Sequence, residues 1–362
     1  MKPTEEEWFD PKQEENDEYN GRTKKTGQTH SAKKSRSGKR KKSAHKASSR
    51  RRRKKAVSKH TIFFAVAALL FVLTVIRLLV WNIGKKSDYD PNEHNAEFDT
   101  ELLDYVQPLD PEVLKGRTDD GVTTILALGN DPLSDERGED GLAALMEKAT
   151  GATILNAAFP GSTISMKNPE FENQYPLDGV SLYWIVAALC NQNFELMDVI
   201  VPMMGSEAAS AALQTLKETD MEKVDALVLF YDLQDYKDGR IVYDENNLKN
   251  LNTCFGALSA SIQLMQDTYP YIRLYLLCPT YGTYTDENGA LIDADLDDLG
   301  NGTLADYINW YLEACRSNGI TFIDNYYGAV SMEDTDCLTD GFHLNQKGRQ
   351  KVAARFADIF KR

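Results

Sequence analysis

The chain has 362 residues, with 41 Lys and Arg against 55 Asp and Glu, and a formal net charge of −14. Residues 1–60 carry 20 Lys and Arg against 8 Asp and Glu, about +12 in charge, which leaves about −26 for the rest. The chain therefore has a basic N-terminal segment and an acidic remainder. The basic tail has few large apolar side chains, so it cannot offset its ordering entropy and we predict that it is disordered.

Residues 61–83 form an apolar run of 23 residues with one charge, Arg77. As a helix, this run is long enough to cross roughly 30 Å of hydrocarbon. Trp81 fits the interfacial aromatic belt, and no small-residue cleavage pattern follows the run. Because most of the positive charge precedes it, we predict a single-pass protein of the cell membrane, with a cytoplasmic N-terminus and an extracellular C-terminal domain. The cation run Arg50–Lys55 is then a topology signal rather than a nucleic-acid-binding patch, and residues 61–83 contact membrane lipid.

The remainder divides into a polar linker at 84–120, with a short helix at Phe98–Val106, and a folded domain at 121–362. A domain of this size can form one α/β core. The five cysteines are widely spaced and odd in number, and the sequence has no CxxC pair or His/Cys cluster. We therefore predict neither a disulfide framework nor a structural zinc site, and we expect no cofactor.

Within the domain, short apolar runs alternate with segments of helical periodicity. The predicted strands are Val122–Leu128, Thr153–Asn156, Val224–Tyr231, Ile272–Cys278 and Ile320–Ile323. The predicted helices are Gly141–Thr150, Ser181–Gln192, Ser206–Glu218, Asn247–Asp267, Leu304–Asn318 and Gln346–Phe360. This alternation predicts an α/β fold: a doubly wound, mostly parallel five-stranded sheet with helices on both faces, as in flavodoxin-like proteins. In such sheets ligands bind at the carboxyl ends of the strands, so the loops there decide function.

One such loop, Asp340–Asn345, contains the only histidine of the predicted domain, His343. Histidine is the side chain suited to proton transfer near neutral pH. Asp340 lies three residues earlier, within reach to orient the imidazole, and Asn345 can cap the last helix. A helix-capping turn with a solvated histidine is the alternative interpretation of these six residues.

Four loops at strand ends, taken together, resemble the SGNH (GDSL-type) hydrolase family. They are Gly129–Ser134, Asn156–Thr163, Tyr231–Arg240 and Asp340–Asn345. The family has Gly-Asp-Ser after the first strand, a glycine block after the second, Gly-x-Asn-Asp after the third and Asp-x-x-His before the last helix. The order and spacing agree across about residues 121–362. The resemblance implies the SGNH hydrolase fold and activity on esters or O-acyl groups of carbohydrates and lipids.

The match is incomplete at the residues that carry the family's chemistry. Gly161, an oxyanion position, and the pair Asp340 and His343 are unchanged. The serine position, however, holds Asp131. In the third block Asp232 replaces the family's glycine and Gln234 replaces its oxyanion asparagine. The residues that the resemblance implies for orienting a histidine base are present, whereas the nucleophile is not.

Two interpretations follow for this site. In the first, the protein is a membrane-anchored extracellular hydrolase, such as a carbohydrate O-acyl esterase or acyltransferase, with a non-standard nucleophile. Asp131 could attack or activate water, although a carboxylate beside His343 favours the imidazolium and weakens it as a base. Ser134 or Ser162 could substitute, but both positions are typical of turns and caps. In the second, the domain is inactive and binds cell-envelope or extracellular polysaccharide.

A third interpretation is a divalent cation held by Asp131, Asp232 and Asp340 with His343, because oxygen-rich clusters suit hard cations. We favour the alternative that these are ordinary acidic side chains at the loop end of an acidic domain, and we therefore predict no metal.

Two further features of the sequence each allow two interpretations. Four tyrosines after strand ends could line a cleft or simply pack in the loops: Tyr231, Tyr236, Tyr281 and Tyr284. The acidic tract Asp286–Asp298 could be a lid or simply a loop that extends into solvent.

Overall fold

The computed structural model describes residues 102–362 except 116, 118, 119, 169 and 287, together with positions 68, 71–74 and 77 of the N-terminal apolar run. The basic tail 1–60, most of the predicted transmembrane segment 61–83 and residues 84–101 of the predicted linker lie outside the described residues. A search of the described residues finds no helix with the length and apolarity needed to span a membrane.

The domain is built on a parallel sheet. The strands are β1 (Thr124–Gly129), β2 (Thr153–Asn156), β3 (Ala226–Phe230), β4 (Arg273–Leu277), β5 (Thr283–Thr285), β6 (Leu291–Asp293) and β7 (Thr321–Ile323). Five of them form one sheet in the order β2-β1-β3-β4-β7, with every neighbouring pair parallel. The predicted five-stranded parallel sheet is therefore confirmed. Strand β3 lies in the middle and is buried at all five positions, as expected for a strand covered on both faces.

Helices cover both faces of this sheet. They are α1 (Asp131–Ser134), α2 (Leu142–Thr150), α3 (Leu182–Asn191), α4 (Glu195–Met204), α5 (Glu207–Glu218), α6 (Gln234–Lys237), α7 (Cys254–Thr268), α8 (Leu304–Asn318), α9 (Asn325–Gly328) and α10 (Gln346–Phe360). Alternate residues of β1 point to opposite cores. Leu126 and Leu128 join the core formed with α3, α4, α5, α7 and α8, while Ile125 joins the core formed with α2 and α10. The period of two along a strand thus builds two apolar layers, which is the predicted doubly wound arrangement.

The largest shift of a helix boundary is at the start of α7, and one long helix was missed. Helix α7 begins at Cys254 rather than at Asn247, because the side chain of Thr253 accepts the backbone N–H of Gly256 and caps the helix there. Helix α4 was not predicted. It contains Pro202 in its last turn, and a proline inside an apolar run obscures the helical pattern.

The end of the predicted linker lies against the sheet. Residues 102–110 contain no helix, in contrast to the short helix predicted at Phe98–Val106. Instead, Tyr105 pairs antiparallel with Phe322 of β7 through two backbone hydrogen bonds of 3.0 and 2.8 Å. Asp104 forms a largely buried ion pair with Arg355 of α10. This segment covers the outer edge of β7, so it packs as part of the domain.

The acidic tract after β4 is partly ordered as a hairpin. Strands β5 and β6 pair antiparallel. The tyrosine hydroxyls beside this tract bond to it: Tyr281 donates to Asp293 at 3.0 Å, and Tyr236 donates to the carbonyl of Asp297 at 2.9 Å. The side chains of Tyr231, Tyr236 and Tyr281 are buried. They therefore pack within the loops, which is one of the two alternatives that the sequence left open. Part of the tract is therefore bonded to the domain, while Leu291 and Leu296 are exposed to solvent.

Candidate functional site

The site lies at the carboxyl ends of β1 and β3, where these strands approach closely. Gly129 ends β1, and a Cβ atom there would lie 1.9 Å from the carbonyl oxygen of Phe230, so only glycine fits this contact. The chain then turns directly into α1, whose first residue is Asp131. This close approach brings the loop after β1 against the loop after β3.

His343 is held by Asp340 on the other side of the site. The imidazole Nδ1 lies 2.7 Å from Asp340 Oδ2, and the backbone N–H of His343 donates to Asp340 Oδ1 at 3.1 Å. Asn345 accepts the backbone N–H of Gly348 and caps α10 directly after this pair. The structure thus brings together the two residues that the sequence predicts as an orienting pair.

Asp131 faces the opposite nitrogen of the same imidazole. Its Oδ2 lies 3.7 Å from His343 Nε2. Its Oδ1 accepts the backbone N–H of Gly161 at 2.8 Å. The histidine ring is therefore placed between two carboxylates, Asp131 and Asp340. The N–H group of Gly161, which the resemblance assigns to an oxyanion, is bonded to a side chain of the chain itself.

This arrangement favours the charged form of the histidine. The interaction with Asp131 raises the pKa of His343 to about 9; partial burial opposes the shift, and the hydrogen bond to Asp340 adds to it. Burial works against ionisation of Asp340, but the hydrogen bonds from the side chain and backbone of His343 outweigh it and lower its pKa. At neutral pH the ring is an imidazolium, which can donate a proton and cannot accept one.

Asp232 is the third acidic residue of the site and is 6% exposed. Its Oδ1 accepts the side-chain amide of Asn130 at 2.7 Å and the backbone N–H of Gln234 at 2.9 Å. Its Oδ2 is buried and has no hydrogen-bond partner among the residues that the structure describes. Burial raises the pKa of Asp232 to about 7, and the charge of Asp131 adds to the shift, while the bonds from Asn130 and Gln234 reduce it.

Asp131, Asp232 and His343 form one compact cluster. One side-chain atom from each lies within 4.8 Å of those of the other two. Asp340 contacts the far nitrogen of the histidine and is not among these three. The cation interpretation, which the sequence analysis did not favour, grouped four residues; the structure brings three of them together and puts the fourth, Asp340, on the far side of the imidazole.

Other residues predicted for the site lie apart from the imidazole. The side-chain amide of Gln234 donates to Asp238 at 2.6 Å, one turn further along the chain, and is not directed at Gly161 or His343. The hydroxyl of Ser162 is buried and donates to the carbonyl of Val180 at 2.6 Å. Ser134 is buried on α1, and its hydroxyl lacks a hydrogen-bond partner in the described part of the chain. The ring nitrogens of His343 contact Asp340 and Asp131 instead.

Three residues that the sequence analysis did not single out also shape the site. Asn130 pairs with Asp232 in both directions, because the backbone N–H of Asp232 donates to Asn130 Oδ1 at 2.9 Å. Burial raises the pKa of Asp135 to about 6, with a further contribution from Asp131. Asp235 is buried and accepts backbone N–H groups of the loop that carries Gly161. The density of acidic residues in these loops was the available signal, but their pairing was not readable from it.

Comparisons with known proteins report similarity in fold. No family model matches the chain, and no curated protein matches it. A possible lipase from Chitinophaga pinensis is 15% identical, with a TM-score of 0.43, over 66% of this chain and 97% of its own. A carbohydrate acetylesterase from Sinorhizobium meliloti is 12% identical, with a TM-score of 0.36, over 66% and 98%. A member of the lipolytic G-D-S-L family from Veillonella parvula is 12% identical, with a TM-score of 0.40, over 67% and 100%. These structures are similar to this chain in fold.

Proposed function

We propose that the C-terminal domain is an SGNH-type hydrolase fold whose former catalytic site binds a ligand instead of cleaving an ester. One observation carries the proposal: Asp131 Oδ1 accepts the N–H of Gly161 at 2.8 Å while its Oδ2 faces His343 Nε2 at 3.7 Å. A tetrahedral intermediate needs an oxyanion donor, a neutral histidine base and a nucleophile. The Asp131 carboxylate occupies the oxyanion donor, Gly161, and stabilises the protonated form of the histidine. It also stands where the nucleophile would be.

The side-chain amides that could help to bind an oxyanion are also hydrogen-bonded to other residues. The amide of Gln234 is bonded to Asp238. The amide of Asn130, the other side-chain amide next to the site, donates to Asp232. Preorganised donors aimed at the developing charge supply much of the rate enhancement in acyl transfer. A site whose donors already bind its own carboxylates lacks this contribution.

The class of ligand is proposed from context. A domain held outside the cell by the predicted anchor at residues 61–83 would meet envelope or extracellular polysaccharide. Many members of the resembling family act on acylated carbohydrates, and this part of the proposal rests on fold-level analogy. We accordingly propose a membrane-anchored extracellular domain that binds a cell-envelope glycan.

Ester hydrolysis through water is the second candidate, and the protonation of the site favours it. Ionised Asp131 beside protonated His343 places a general base and a general acid next to each other. Asp131 would take a proton from water as the water oxygen attacks the acyl carbon. His343 would give its Nε2 proton to the departing alkoxide, and a proton passing from Asp131 to His343 would restore the site.

Hydrolysis of 4-nitrophenyl acetate by the full chain separates the two candidates. We expect no hydrolysis by the wild type above the rate of His343→Ala. Asp131→Ser should gain weak activity, because a hydroxyl replaces the carboxylate and the imidazole becomes available as a base. Asp131→Ala is the matched control, since it also removes the carboxylate but offers no nucleophile. Wild-type activity that Asp131→Asn abolishes would refute the binding proposal in favour of water-dependent hydrolysis. Activity that Asp131→Asn leaves unchanged would contradict both and point to Ser134 or Ser162.

A further inference from the structure

We infer that Asp131, Asp232 and His343 form a binding site for one divalent transition-metal cation, with Zn²⁺ as the best match. The inference rests on the proposed function in one respect, because it places a cation, in addition to the proposed glycan, in a site that no longer performs serine chemistry. The three side chains come from the loops after β1 and β3 and from the turn before α10. Their nearest ligand atoms lie within 4.8 Å of one another.

In each of the three side chains, one polar atom is hydrogen-bonded to a neighbouring residue, and the other polar atom remains available to bind a cation. Asp131 Oδ1 is held by Gly161, which leaves Oδ2 facing His343 Nε2. Asp232 Oδ1 is held by the Asn130 amide and a backbone N–H, which leaves Oδ2. His343 Nδ1 is held by Asp340, which leaves Nε2. A preorganised metal site has this pattern, because hydrogen bonds to the outer atom fix the direction of the ligating atom.

The buried oxygen of Asp232 is an independent sign that a positive partner belongs here. Asp232 is 6% exposed, and its Oδ2 has no hydrogen-bond partner within the described residues. An unpaired buried carboxylate oxygen is costly, since it has left water without gaining a donor or a cation. A cation bound between Asp232, Asp131 and His343 would satisfy this oxygen.

The donor set selects among cations. One imidazole nitrogen with two carboxylate oxygens suits Zn²⁺, which takes three protein ligands and keeps a fourth position open in non-structural sites. Ca²⁺ would require more oxygen ligands than this cluster offers. With metal–ligand distances of about 2.1 Å, tetrahedral ligands lie about 3.4 Å apart. The 3.7 Å between Asp131 Oδ2 and His343 Nε2 is close to that spacing.

A second acidic cluster provides the contrast. Asp334, Asp336 and Cys337 also lie within ligating distance of one another. Both of its carboxylates are already paired with lysines, Asp334 with Lys351 and Asp336 with Lys347. A cation there would have to displace both ammonium groups. Its members are therefore suitable control positions.

Isothermal titration calorimetry of Zn²⁺ into the chelator-stripped full chain tests the inference. We expect one site per chain that Asp232→Asn and Asp131→Asn each abolish or weaken at least tenfold, while Asp336→Asn retains it. Asp340→Asn should weaken the site by about 10- to 100-fold, because the imidazole loses its orienting partner. The asparagine variants keep the shape of the side chain, and matching circular dichroism spectra would show that they fold. Co²⁺ in place of Zn²⁺ should give visible absorption bands of tetrahedral intensity, lost in Asp232→Asn.

Zn²⁺ uptake that is the same in the wild type, Asp131→Asn and Asp232→Asn would overturn the inference. That failure is distinguishable from failure of the proposed function. A wild type that binds no Zn²⁺ and stays inactive, with an active Asp131→Ser, would reject the cation site and keep the binding proposal. A Zn²⁺-loaded wild type that hydrolyses 4-nitrophenyl acetate, with Asp232→Asn inactive, would keep the cation site and reject the binding proposal.

Discussion

The Asp131 carboxylate accepts the backbone N–H of Gly161, although the two residues are 30 positions apart in the chain. This bond fixes the Asp131 carboxyl group inside the site, next to His343. The carboxylate occupies the N–H donor of Gly161, and it raises the pKa of His343, which favours the charged form of the ring. The Asp131 carboxylate thus contributes to the raised pKa values of His343, Asp232 and Asp135.

The pKa of His343 should be about 9, and NMR titration of the ring should fall toward the ordinary value of 6.5 in Asp131→Asn. Because the folded-state pKa is raised, the stability from this interaction is fully present below pH 6.5 and is lost as the pH rises through about 9. Asp340→Asn should lower the pKa as well, since it removes the second partner. An unchanged pKa in Asp131→Asn would show that the carboxylate does not control the ring.

Asp235→Ala should reduce the free energy of unfolding by about 2–5 kcal/mol, because two buried N–H groups lose their acceptor. Asp235 accepts the backbone N–H of Ile164 at 2.8 Å and that of Ser165 at 3.0 Å, and also the Ser165 hydroxyl at 2.7 Å. Urea unfolding measures the loss. The exposed Asp267→Ala is the matched control and should stay within about 0.5 kcal/mol of the wild type. Equal values for the two variants would contradict a structural role for Asp235.

Gly129→Ala should destabilise the domain by about 3 kcal/mol or more, because its Cβ would lie 1.9 Å from the carbonyl oxygen of Phe230 and the two strands would have to separate. Gly151→Ala is the comparison. Gly151 also needs glycine, with φ of +80°, but it has open space around it, so we expect a cost of about 1–2 kcal/mol. Thermal or urea unfolding of both variants gives the difference. A smaller loss for Gly129→Ala than for Gly151→Ala would show that the strand contact is not tight.

Protease added to intact cells should digest the domain at 121–362 and leave the tail at 1–60 protected. The reason is the charge asymmetry around residues 61–83, with the basic side retained in the cytoplasm. Antibodies to the two ends of the chain report the outcome. Protection of the domain in intact cells, with digestion after lysis, would contradict the extracellular assignment.

The sheet was predictable because its strands are short apolar runs buried on both faces. The predicted Val224–Tyr231 contains the observed β3, Ala226–Phe230, with only the ends trimmed. Helix α4 was missed because its second half, Val199–Met204, is an apolar run that contains Pro202 and therefore shows no clear period of 3.6 residues. The strands could be predicted from local composition, whereas helix α4 could not, because its formation depends on packing against the rest of the domain.

The site was only partly predictable. Asp340 and His343 are three residues apart, so their contact could be expected from spacing. The bond between Asn130 and Asp232 joins residues 102 positions apart and depends on the close approach of β1 and β3. The direction of the Gln234 amide was also not predictable, because a local partner, Asp238, competes for it. Side-chain pairing across loops is set by the assembled backbone, which one sequence does not reveal.

The backbone pairing of Tyr105 with Phe322 has a consequence for how the domain can be cut. A fragment beginning at residue 121 would lack the segment that covers β7 and would leave the N–H and C=O groups on that side of the strand unpaired. Such a bare edge recruits strands from other copies, so the shorter fragment is prone to aggregate. Residues 102–107 therefore act as a built-in guard against self-association of the sheet, and a soluble fragment has to begin before them.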